Sequence, residues 1–210
     1  MEKNDYRVSN VVFDYGGVLV QYDFVAFFAG RMGSRQQGQW FMDHVLPEKV
    51  GADMDRAEHS FDYYIEQQQH KWPQYAALLD DFNHHYTDVF TNETPGMRQL
   101  MLTLQKKGLR LWGLSNWSAK LDDVKRKFDI FKLVEGELVS KDVHLLKPEP
   151  AIYRAFLDKF GLDASTCLFI DDKLENIEGC LKVGMHGIRF DRKNPNQSIQ
   201  EVLALVSKQY

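Results

Sequence analysis

Four places in the chain put reactive side chains beside apolar or rigid segments. Asp14 follows Val11-Val12-Phe13, Ser115-Asn116 ends Leu109-Arg110-Leu111-Trp112-Gly113-Leu114, and Asp171-Asp172 ends Cys167-Leu168-Phe169-Ile170. Lys147 lies in Leu145-Leu146-Lys147-Pro148-Glu149-Pro150, where prolines on either side of Glu149 set a rigid loop. Each has an ordinary reading alone: a turn aspartate, a helix-capping pair, a solvated lysine, an acidic helix start. Taken together they suggest chemistry. Asp14, Asp171 and Asp172 ionised in one site repel each other and need a cation. Mg²⁺ suits carboxylate, carbonyl and water oxygens and leaves room for a phosphate. With the metal and Lys147 screening its charge, Asp14 can attack a phosphorus atom, while the hydroxyl and backbone N–H groups at Ser115-Asn116 face the anion.

Such an arrangement requires strands that end side by side. The apolar runs above, a resumed run Val18-Leu19-Val20 after Gly16-Gly17, and Gly187-Ile188-Arg189-Phe190 ending at Asp191 are the expected strands. Helical patterns fill the intervals at Pro95 to Lys107, Leu121 to Phe128, Pro150 to Phe160 and Asn176 to Val183, with Gly184 as C-cap. Alternation of this kind predicts an α/β fold, a Rossmann-like doubly wound parallel sheet with its site at the carboxyl ends of the strands. The stretch from Tyr22 to Phe90 reads differently. Aromatic residues, Gln and His at helical spacing, with few β-branched runs, predict an inserted α-helical subdomain, so that residues 1–20 and 91–210 form the core and 21–90 a helical cap.

The bulk properties narrow the partners. With 210 residues and 44% hydrophobic content the chain can bury a full core, and a net charge of −4 with no basic run disfavours nucleic acid. Cys167 and Cys180 lie inside apolar stretches and read as buried reduced thiols. The opening Met1-Glu2-Lys3-Asn4-Asp5 lacks an apolar signal core and no run approaches membrane-spanning length, so a cytoplasmic protein with no membrane partner and a small-molecule substrate is expected. His84-His85 beside Asp80-Asp81 reads as a solvated face. Trp40-Phe41 and Trp72 read as packing inside the helical segment, whereas Trp117 is the aromatic residue most suited to touch a substrate.

In order, Phe-Asp-Tyr-Gly-Gly-Val-Leu, Leu-Ser-Asn, Lys-Pro-Glu-Pro-Ala-Ile-Tyr and Phe-Ile-Asp-Asp-Lys-Leu-Glu-Asn resemble the four motifs of the haloacid dehalogenase-like hydrolases, over essentially the whole chain. The insertion after the first motif is similar to the helical cap of the family's first class. The Asp-Asp pair followed by Asn176 resembles the branch holding sugar-phosphate phosphatases and the phosphatase domain of epoxide hydrolases. The resemblance implies an aspartyl-phosphate on Asp14, a phosphoryl group held by Ser115 and the Asn116 amide, and Lys147 neutralising both. It implies Mg²⁺ held by Asp14, Asp172, Asp171 directly or through water, and the Gly16 carbonyl, in an enzyme that hydrolyses a small phosphomonoester, with a sugar phosphate favoured.

The chain departs from the family's phosphatase pattern at Gly16, where an aspartate usually serves as acid and base. Loss of such a group removes a contribution of roughly 10²–10⁴-fold in rate. Asp23 is a substitute by proximity in sequence. Two other readings stand beside the phosphatase: a 2-haloacid dehalogenase, whose attack on carbon uses no metal and is disfavoured by the paired carboxylates, and a phosphate-binding regulatory protein with little catalysis.

Overall fold

The computed structural model describes residues 8–207, and the opening stretch read above for a signal core lies outside the described residues. Five strands form a parallel sheet in the order β5-β4-β1-β6-β7: β1 (Asn10–Phe13), β4 (Arg110–Ser115), β5 (Gly136–Val139), β6 (Cys167–Asp171) and β7 (His186–Arg189). β2 (Val20–Tyr22) and β3 (Phe90–Glu93) form a separate antiparallel pair. This is the Rossmann-like α/β fold that the alternating pattern predicts.

Both faces of the sheet are covered, as a parallel sheet requires. Val11 and Phe13 of β1 point to one face and Val12 to the other. The first face packs on α6 (Met97–Lys106) and α11 (Pro195–Ser207) through Met97, Leu100, Met101, Leu104 and Val202. The second face packs on α9 (Pro150–Phe160) and α10 (Leu174–Leu181), through Ile152, Phe156, Ile177 and Cys180 around Phe169. Each such fully buried side chain is worth about 1.5–3 kcal/mol relative to exposure. Cys167 and Cys180 are free, buried thiols. The expected helices and strands fall within a few residues of their observed limits. β3, β5 and α11 add elements that the apolar pattern does not mark.

Between β2 and β3 the chain runs through five helices, α1 (Phe24–Met32), α2 (Arg35–His44), α3 (Glu48–Arg56), α4 (Phe61–Lys71) and α5 (Ala76–His84). Ser34 and Ser60 accept hydrogen bonds from Gln37 N and Tyr63 N, starting α2 and α4. Phe27, Phe28, Phe41, Phe61 and Phe82 fill the space between the helices, with the rings of Phe28 and Phe41 stacked at 4.2 Å. Trp40 departs from the expected packing role: it is 37% exposed and stacks on His44 at the surface. α7 (Leu121–Lys127) and the short α8 (Ser140–Val143) follow β4 and β5. Among the described residues no helix is long and apolar enough to cross a membrane.

Candidate active site

Strand register gathers the reactive residues. Phe13 of β1 lies opposite Gly113 of β4 and Ile170 of β6. One residue further along, Asp14 leaves the sheet beside Asp171, with Ser115 closing β4. Adjacent strands run about 4.8 Å apart, so side chains at neighbouring strand ends meet without any long reach. Asp14 N donates to Ile170 O at 2.9 Å, extending the ladder to the aspartate itself.

Lys147 crosses beneath this line from the segment after α8 and ties it together. Its Nζ lies 2.8 Å from Asp14 Oδ1, 2.7 Å from Asp171 Oδ2 and 3.0 Å from Leu114 O. Ser115 Oγ donates to the same Asp14 oxygen at 2.8 Å. Both bonds fall on Oδ1, which fixes the carboxylate and leaves Oδ2 outside the pair. Lys147, Asp14, Ser115 and Asp171 are all buried. Burial lifts the Asp14 carboxyl to about 6 against the pull of Lys147, with Asp171 and Asp172 adding to the rise. The Lys147 ammonium is held above its ordinary value because the two carboxylates outweigh its desolvation.

The Asn116 side chain has a structural part beside the anion-facing role expected of its amide. Its Nδ2 donates to Lys147 O at 3.0 Å and its Oδ1 accepts from Lys147 N at 2.8 Å, so the amide clamps the main chain that delivers the lysine. Asp171 is also spoken for. Asn176 Nδ2 reaches both its oxygens at 3.0 Å, and Lys173 N donates to Oδ1 at 2.8 Å. Asp172 is more open, with Arg192 Nη1 3.6 Å from Oδ2. Gly17 makes room for it: the φ of +84° suits glycine, and a Cβ there would sit 2.9 Å from Asp172 Oδ2.

The donor set fits a hard divalent cation. Asp14, Asp171 and Asp172 each offer an oxygen within 4.8 Å of the others, and the Asp14 and Asp172 carboxyls are raised first by burial and then by the neighbouring carboxylates, whose repulsion a cation would relieve. Gly16 lines the same cavity.

Above the strand ends lies a cavity of about 490 Å³ between the sheet and the helices. Its floor is Asp14, Ser115, Asn116, Lys147 and Asp172, and Tyr22, Phe24, Phe61, Phe82, Phe90 and Trp117 stand around it. Trp117 therefore lines the cavity, its ring 5.0 Å from that of Phe90, whereas Trp40, Phe41 and Trp72 do not. His84 and His85 pair with Asp80 and Asp81 on the exposed face of α5.

Asp23 is not brought into the site. Its Oδ1 caps α1 by accepting from Ala26 N at 2.8 Å and its Oδ2 pairs with Arg35 at 3.1 Å, outside the cavity that holds Asp14. The sequence reading passes over Asp55, on α3, and Lys173, which also line the cavity. Met54-Asp55-Arg56 looks like any solvated helical turn, and no local signal marks it out.

The description haloacid dehalogenase-like hydrolase matches residues 8–184. The chain belongs to this hydrolase family. The glyceraldehyde 3-phosphate phosphatase of Pyrococcus abyssi is 26% identical over 63% of this chain and 57% of its own length. The matched stretches span between 11% and 57% of the curated relatives' lengths. A haloacid dehalogenase-like enzyme of Bacteroides thetaiotaomicron, solved with magnesium and inorganic phosphate, superposes with a TM-score of 0.69 at 16% identity, over 88% of this chain and 95% of that one. An L-2-haloacid dehalogenase superposes with a TM-score of 0.76 at 19% identity, over 96% and 99% of the two chains. Phosphatase and dehalogenase relatives thus share the hydrolase fold seen here.

Proposed function

We propose that the chain is a Mg²⁺-dependent phosphatase that acts on a small phosphomonoester through an aspartyl-phosphate on Asp14. The carrying observation is the convergence of Asp14, Asp171 and Asp172 within 4.8 Å beside a single buried lysine. A carboxylate nucleophile attacking carbon has no use for two further carboxylates, whereas a metal-assisted attack on phosphorus does. The magnesium and phosphate bound by the Bacteroides enzyme, and the phosphatase names among the relatives, support the same reading.

On this reading Asp14, Asp172 and the Gly16 carbonyl would hold the ion, with Asp171 joining directly or through water while its bond to Lys147 orients that lysine. Bound Mg²⁺ would supply charge neutralisation on the phosphoryl oxygens. Ser115 Oγ turns from Asp14 to the incoming phosphoryl group, the backbone N–H of Asn116 faces the same anion, and Lys147 balances the charge on both. Positioning and charge compensation then do most of the catalysis. Residues 21–90 act as the cap over a core of 1–20 and 91–210, excluding water and reading the leaving group. The rings around the cavity fit a leaving group with an apolar or planar face, and Asp55, Ser118 and Lys173 beside them offer partners for hydroxyls such as those of the sugar that the resemblance favours.

The test is hydrolysis of a panel of phosphomonoesters, sugar and aromatic, by wild type and Asp14→Asn, with Mg²⁺ and with chelator, alongside halide release from 2-haloacids. Expected is Mg²⁺-dependent phosphate release that Asp14→Asn lowers by about 10⁴-fold or more. Halide release that survives chelator would make the protein a dehalogenase. Phosphate binding without turnover would make it a regulatory protein.

A further inference from the structure

Gly16 leaves the phosphatase reading without an acid for the leaving group at that position. A Cβ at Gly16 would lie 3.3 Å from Tyr22 Cε1 and 3.6 Å from the Trp117 ring, so two rings flank the glycine closely. Glycine itself carries no proton, so on the phosphatase reading a donor has to come from another wall of the cavity.

Asp43, Glu48, Asp55 and Glu175 line the cavity away from its floor, and of these only Asp55 is not exposed. Asp55, in the last turn of α3, is half-buried and lines the cavity from the helical side, across from Asp14 on the floor. Its place is fixed to the core at several points. Asp55 O accepts from Ser140 Oγ at 2.6 Å, and the same hydroxyl accepts from Trp117 N at 2.9 Å. The next residue, Arg56, donates to His144 O at 3.0 Å and pairs with Glu149 at 2.5 Å. The end of α3 is therefore fastened to the two segments that deliver Ser115-Asn116 and Lys147.

We propose that Asp55 is the acid–base residue of the reaction, supplying from the helical wall the carboxyl that Gly16 lacks. The inference rests on the phosphatase reading above. In the first step an Asp14 oxygen bonds to phosphorus, the P–O bond to the leaving group breaks with its electron pair on oxygen, and that oxygen takes the Asp55 proton. In the second step a water oxygen bonds to phosphorus and gives its proton to the Asp55 carboxylate. The P–O bond to Asp14 then breaks with its pair returning to Asp14. The sum is ester plus water giving alcohol plus inorganic phosphate, with both aspartates restored.

The electrostatic setting suits the role. Burial pushes the Asp55 carboxyl up to about 7, although Lys173 and the donating Ser118 N–H pull it down; Asp14 raises it further and Lys147 lowers it. The Tyr86 phenol faces it as well. An acid near neutrality can both give and take a proton at working pH.

The test compares two esters, each in excess over enzyme with Mg²⁺, followed through the first turnover and beyond. The first is 2,4-dinitrophenyl phosphate, whose leaving group needs no proton, and the second is phenyl phosphate, whose leaving group does. Asp55→Asn is expected to release dinitrophenol in a burst at the wild-type rate and then stall, while phenol release slows by about 10²–10⁴-fold. In wild type, which needs no variant to fold, the ratio of phenol to dinitrophenol release should fall with pH above about 7. A ratio that is flat from pH 6 to roughly 9 and equal in Asp55→Asn overturns the assignment of Asp55 alone. If wild type releases no dinitrophenol in any Mg²⁺-dependent manner, the phosphatase reading fails and takes this inference with it.

Discussion

The floor and the helical wall of the cavity handle charge in opposite ways. On the floor, Lys147 sits within 2.8 Å of two carboxylates, and Asn116, Ser115 and Asn176 satisfy what remains. On the wall, Asp55 stands among rings and keeps its proton near neutrality. The floor is thus built to hold one invariant charge pattern, which is what a phosphoryl group presents whatever ester carries it. The wall is mostly rings, with Asp55 as its half-buried carboxyl and Asp43 and Glu48 exposed at its edge, and under the proposed function it would face the variable leaving group. If the proposed function holds, the difference would put recognition of the common part of a substrate on the sheet and of the distinctive part on the helices.

The comparison breaks most visibly at Lys147. Lys147→Ala leaves Asp14 and Asp171 facing each other without their shared cation, and removing one partner from a buried ion network costs about 3–5 kcal/mol. A fall in Tm of roughly 10 °C is expected for a chain of this size, with partial recovery on adding Mg²⁺. A loss below about 1 kcal/mol would mean that the floor is not held by charge. Gly17 sharpens the same point on a smaller scale. Gly17→Ala forces a left-handed conformation costing about 1–2 kcal/mol and drives a Cβ toward Asp172 Oδ2, so Mg²⁺ binding should weaken by about 10-fold. Gly108 has a φ of +79° and open space around it, so Gly108→Ala should carry the strain without the metal effect. Calorimetric Mg²⁺ titration of the two variants separates strain from crowding.

The floor was legible in the sequence and the wall was not, for a physical reason. β1, β4 and β6 are buried on both faces and read as unbroken apolar runs, and each ends on the polar residue that the cavity uses. Their parallel register then fixes which residues meet. β5 escapes because Glu137 interrupts its apolar pattern at the sheet edge, where it bonds Tyr15 and Lys125. Asp55 escapes because its meaning depends on contacts with Ser118, Ser140 and Lys173, all distant in sequence. Asp23 was misleading for the complementary reason: nearness along the chain to Asp14 says nothing about direction once a helix cap claims the carboxylate. The clamp of the Asn116 side chain on the Lys147 main chain was also out of reach, because it depends on the loop that returns to it.

The smallest expected effect tests the wall without any substrate. A carboxyl raised from 3.8 to about 7 on folding makes the native state bind its proton more tightly than the unfolded chain does. Its stabilising contribution is complete below about 4 and is lost as pH rises toward 7. Asp55→Asn keeps the shape and an acceptor for Ser118 N–H but carries no charge, so its Tm should match wild type near pH 4 and exceed it at pH 8. The full rise would correspond to about 4 kcal/mol, and solvent screening of the half-exposed carboxyl cuts the expected gain to roughly 1 kcal/mol, or about 2–4 °C. Asp14, raised to about 6, imposes its own slope in both proteins, and because it also raises Asp55 the difference reports Asp55 together with its coupling to Asp14. A pH-independent Tm difference would show that solvent already satisfies Asp55, and the contrast between a charge-neutralised floor and a proton-holding wall would then disappear.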